Sequence, residues 1–129
     1  MLQSRNIKWL AGFISISVLL LGMMGCADSK SVKIGMLSPQ TGPIAQFAPG
    51  FDSAGKVAIA ELNETHEGKF EFELVVGDSG CDGTTAATAA QTLIDSGVSA
   101  IVGAACSGAS TAAIAVAAPA GVPMISYAS

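Results

Sequence analysis

Ser107 and Ser110 stand three residues apart, just where an apolar run gives way to an alanine-rich stretch. The run Val98-Ser99-Ala100-Ile101-Val102 is rich in β-branched residues and stops at Gly103; Ala104-Ala105-Cys106-Ser107-Gly108 follows, and then a helical pattern begins. This reads as a buried strand feeding a tight loop and a helix N-terminus. The first amides of a helix have no internal acceptor and carry the positive end of its dipole. Beside two serine hydroxyls they suit a carboxylate or another small anion. Ser107 by itself reads most simply as the helix N-cap. No acid–base pair accompanies them. Cys106 sits at a strand-to-helix turn, where some α/β enzymes keep a nucleophile. A nucleophile needs a base within reach, and His66, the single histidine, precedes the second strand and belongs to the opposite end of the sheet. The residues point to binding rather than turnover, and no cofactor or metal is implied. Cys81, Cys106 and one distant histidine lack metal-ligand spacing.

The elements that position these residues alternate. Val32–Leu37 reads as a strand, and Ser38 to Gly50 as a loop broken by Pro39, Gly42 and Pro43. Phe51 to Asn63 has helical spacing. Phe70 to Val76 is a strand, and Gly77 to Gly83 a loop carrying Asp78, Cys81 and Asp82. Thr84 to Ser96 is helical, Ala100 to Gly103 a third strand, Ser110 to Ala118 a third helix, and Pro123 to Ser126 starts a fourth strand. Such alternation predicts an α/β fold: a parallel sheet with right-handed crossovers and helices on both faces. Ligands of such sheets sit beyond the carboxyl ends of the strands. Phe47, Asp78, Cys81, Cys106, Ser107 and Ala128 all fall there. Asp78 reads as a solvated loop acid or a remote helix cap.

Composition narrows the setting. Half of the 129 residues are hydrophobic and 12% are charged. Arg5 and Lys8 precede Trp9–Met24, which carries no charge. This pattern is an export signal, shorter than the roughly 20 residues of a membrane-spanning helix. Leu20-Leu21-Gly22-Met23-Met24-Gly25-Cys26 resembles a bacterial lipobox, with Met23 where leucine is usual. Three regions follow: a signal over 1–25, a lipid-anchored tether over 26–31 beginning at Cys26, and a domain over 32–129. Loss of 1–25 removes Arg5 and Lys8 and moves the formal charge from −4 to −6. An acidic domain is a poor partner for nucleic acid. In an exported protein Cys81 and Cys106 read as a disulfide or as two buried thiols.

Lys33-Ile34-Gly35-Met36-Leu37-Ser38-Pro39-Gln40-Thr41-Gly42-Pro43-Ile44-Ala45, Cys81-Asp82, Gly103-Ala104-Ala105-Cys106-Ser107 and Gly121-Val122-Pro123-Met124-Ile125-Ser126 resemble, in order and spacing, the leucine/isoleucine/valine-binding proteins of ABC importers. The resemblance covers nearly all of 32–129. It implies part of the N-terminal lobe of a type I periplasmic binding fold, without the family's hinge and second lobe. It also implies an extracytoplasmic monomer that captures an amino acid and delivers it to a membrane permease. Ser107 would hydrogen-bond the solute's α-carboxylate. Ala128 would offer main-chain contacts. Phe47, where the family often has tyrosine, would line the pocket. A sensory domain, or a binder of an amide or urea, uses the same fold.

Overall fold

The computed structural model describes residues 29–129. The signal over 1–25, the lipidation site Cys26 and all but the last residues of the 26–31 tether lie outside them. Four strands and three helices alternate. They are β1 (Lys30–Ser38), α1 (Ala48–Thr65), β2 (Phe70–Asp78), α2 (Gly83–Asp95), β3 (Ala100–Val102), α3 (Ser107–Ala117) and β4 (Met124–Ile125). A short 3-10 turn, Ala45–Phe47, leads into α1. All strand pairs are parallel, in the order β2-β1-β3-β4. The register aligns Ser38 with Asp78, Met36 with Val102, and Val102 with Ile125. The loops that follow the strands therefore emerge along one edge.

Successive strand residues face opposite sides of a sheet. Leu37 and Ile101, both fully buried, meet Ala86, Ala90 and Leu93 of α2 and Ala109, Ala113 and Ala117 of α3. Ile34 and Met36 face the other side, toward Phe51, Ala54 and Ala58 of α1. Helices thus cover both faces. The alanine stripes have a packing role: methyl-sized contacts let α2 and α3 approach closely, so that a Cβ added at Gly83 would meet the Ala112 methyl at 3.4 Å.

Two helix starts differ from expectation. α1 begins at Ala48 rather than Phe51, because Pro49 sits in its first turn, where a missing N–H costs nothing and a fixed φ helps. α3 begins at Ser107 rather than Ser110, with Cys106 as its N-cap in extended backbone. Ser107 is therefore the first helical residue and not the cap. α2 is capped by Asp82, which accepts from the Thr85 amide at 2.9 Å. Gly97, with φ +81°, follows its end.

Candidate functional site

The site is built from the loops after the strands, and these loops are laced to one another. Asp78 closes β2 and reaches the loop after β1. It accepts from the Thr41 amide at 3.1 Å, the Thr41 hydroxyl at 2.6 Å and the Gly80 amide at 2.8 Å. Burial pushes its pKa up, but these hydrogen bonds outweigh burial and hold the carboxyl below its usual 3.8. Asp78 is thus neither a free loop acid nor a helix cap. Beside it Gly42, at φ +86°, presses against the Gly80 carbonyl so closely that a Cβ would collide; only glycine fits there.

The second tie is covalent: Cys81 and Cys106 are joined, with their Cα atoms 5.3 Å apart. Their bond couples the loop after β2 to the N-cap of α3. The third tie centres on the Ala104 carbonyl. Ser126 donates to it at 2.9 Å, and the Ser110 hydroxyl lies 3.2 Å away. The Ser126 oxygen accepts from the Ala128 amide at 3.3 Å and the Ser129 amide at 3.0 Å. Ser110 accepts from the Ala104 amide at 3.2 Å and meets the Ser129 hydroxyl at 2.7 Å.

An open groove of about 280 Å³ lies along this corner, lined by Ser107, Ser110, Thr111, Ile114, Met124, Ser126 and Ser129. One end is hydroxyl-rich, the other aliphatic, and no lining side chain is charged. The first intrahelical bond of α3 runs from the Ser110 amide to the Cys106 carbonyl at 2.9 Å. The amides of Ser107, Gly108 and Ala109 precede it and have no acceptor within the helix. Chemically the corner offers donors from amides and hydroxyls, a positive dipole end, and an apolar continuation.

Of the residues singled out in the sequence, Ser107 lines this groove. Ala128 sits between two lining serines, with its amide turned onto Ser126. Phe47 does not line it: it ends the 3-10 turn before α1 and is 56% exposed. Ser126 and Ser129 were missed as site residues. Their signal is positional, since they follow β4 as Ser107 follows β3. His66 lies at the far pole, its ring 5.7 Å from Phe72 and 6.3 Å from Phe70. Among the described residues no cluster of His, Cys, Asp or Glu could hold a metal, and no helix is long and apolar enough to cross a membrane.

A family model described as "Periplasmic binding protein" matches residues 31–129. A Pseudomonas aeruginosa protein named for binding leucine, isoleucine, valine, threonine and alanine is 31% identical over 99 residues, which are 76% of this chain and 24% of that protein. The substrate-binding protein LivJ of a Streptococcus pneumoniae branched-chain amino acid transporter, solved with isoleucine, is 36% identical. The match has a TM-score of 0.70 and covers 77% of this chain and 29% of that one. A solute-binding protein of an ABC transporter from Rhodopseudomonas palustris, solved with 3,4-dihydroxybenzoic acid, is 31% identical with a TM-score of 0.67, covering 76% and 27%. The chain spans between 24% and 29% of the length of these relatives.

Proposed function

The chain belongs to the periplasmic binding protein family, and on that premise we propose that it contributes one wall of a solute site for branched-chain or related amino acids, serving an ABC importer. The observation that carries this reading is the α3 start: unpaired first-turn amides and Ser107 beside a groove that turns from hydroxyls to Ile114 and Met124. A carboxylate fits the amide end, where the helix dipole favours negative charge. The Ser107 hydroxyl adds a donor, and the Ala128 carbonyl offers an acceptor to an α-ammonium. An aliphatic side chain fits the Ile114 and Met124 end. Delivery would follow closure of a second wall over the solute and docking on a permease.

A relative solved with an aromatic acid favours a second reading, an aromatic carboxylate, which would use the same amide end. Amides and urea would meet the same donors through a neutral carbonyl oxygen, without the gain a negative charge brings at the helix start. Titration followed at the amides of Ala104–Ser110 separates these readings. Isoleucine, leucine or valine shifting those amides supports the first. 3,4-Dihydroxybenzoate alone doing so supports the second, and silence from every carboxylate overturns both. We also assign export and acylation to the N-terminal segment: cleavage after Gly25 and acyl chains on Cys26, each buried methylene adding about 0.8 kcal/mol of membrane affinity. Mass spectrometry of the membrane fraction should find an acylated Cys26, and Cys26→Ser should release the chain.

A further inference from the structure

The geometry points to Tyr127 as a positioning residue that completes a ring of loop-to-loop ties around the solute site; the inference rests on the binding reading above. Asp78 ties the first loop to the second, the Cys81–Cys106 bond the second to the third, and Ala104 with Ser126 the third to the fourth. Tyr127 ties the fourth back to the first strand. Its hydroxyl donates to the Leu37 carbonyl at 2.9 Å, where β1 ends. Its ring packs on Phe51 of α1, centroids 4.8 Å apart and tilted by 34°.

Four further features bear on this tie. On the groove side, the fourth loop is held by serine hydroxyls, which an incoming polar solute can compete for. Tyr127 works from the opposite face of the sheet, in the apolar layer with Met36 and Phe51, which a solute in the groove does not reach. Burial first, and then the Asp52 carboxylate, push its pKa to about 12, so the hydroxyl stays protonated and remains a donor across the physiological range. Its platform is itself fixed, since Asp52 accepts from the Gln40 side chain at 2.8 Å and so fastens the first turns of α1 to the loop after β1. A loop held in its binding geometry before the solute arrives loses less freedom on binding.

The test compares the full chain with Tyr127→Phe, which keeps the ring and loses the donor, and with Tyr127→Leu, which loses both. Amide exchange is read at Ala128 and Ser129, with Leu93 of α2 as the core reference; isoleucine and 3,4-dihydroxybenzoate titrations are read at the Ala104–Ser110 amides. In Tyr127→Phe, exchange at Ala128 and Ser129 should rise about tenfold while Leu93 is unchanged, and solute affinity should fall about fivefold, the size of one lost hydrogen bond. Tyr127→Leu should exceed both effects. Unchanged exchange at Ala128 and Ser129 in Tyr127→Phe overturns the proposal, as does an affinity loss that only follows the global unfolding midpoint. If the unaltered chain responds to neither solute, the binding reading itself fails and the proposal falls with it. The exchange data, taken without solute, distinguish that failure from the other.

Discussion

At the residue scale, Ser107 and Asp78 carry opposite lessons. Ser107 was legible because its surroundings are local: a strand ends, small residues follow, and a helix begins within ten positions. Its role as first helical residue was not, since the extended backbone that makes Cys106 the cap is not written in the local residue types. Ser107→Ala should weaken binding of a carboxylate solute about tenfold, the value of a hydrogen bond to a charged group, and leave the melting temperature nearly unchanged; titration and thermal unfolding of the same variant check this. Asp78 was not legible, because its partner Thr41 lies 37 residues away. Its carboxyl is depressed in the fold, so the stabilisation it supplies is present above the unfolded value of 3.8 and is lost as pH falls through the lower folded value. Asp78→Asn should cost about 1 kcal/mol at neutral pH, a half-buried group being partly screened by water. It should also flatten the loss of stability between pH 5 and pH 2 — urea midpoints across that range are the measurement.

At the element scale, the strand–helix alternation predicted the parallel sheet and both helix layers. Apolar spacing and glycine stops are local signals, and they located every strand to within a few residues. What they left out was order across the sheet. β1 lies between β2 and β3, a placement that right-handed crossovers permit but that short-range pattern does not state. The close α2–α3 contact follows from alanines with no exposure at all, Ala109, Ala113 and Ala117. Ala113→Leu should destabilise by about 1–3 kcal/mol through overpacking, read as a lower denaturant midpoint with unchanged slope. The loop closed by the cystine spans a sequence separation of 25, for which the chain-entropy model gives about 3.5 kcal/mol. Reduction, or paired Cys81→Ser and Cys106→Ser, should lower the unfolding free energy by that order, and the unaltered chain should show the same drop on adding reductant. Unchanged midpoints in both would show the two thiols to be unlinked in solution.

At the scale of the whole molecule, the groove is lined by the start of α3, Met124 and the residues after β4. Binding pockets that hold small solutes tightly enclose most of the ligand surface, and this groove is open to solvent. We expect isoleucine affinity in the millimolar range for the 129-residue chain, measured by amide shifts on titration; micromolar binding would mean that the solute is enclosed by surfaces other than those lining the groove. The family was legible in the sequence because its turn residues recur in order, from Ser38-Pro39 to Pro123-Met124. The groove's full lining was not, because Ser126 and Ser129 acquire their place only when β4 pairs with β3.

One consequence follows from the direction of β1. It enters at Lys30, bonded to the Lys69 carbonyl beside the His66 and Phe70 pole, and leaves at Ser38 among the laced loops. Nine extended residues put about 26 Å between those two points. An acyl group on Cys26, four residues before Lys30 in the sequence, would therefore attach nearer the Lys30 end of the sheet than the laced loops.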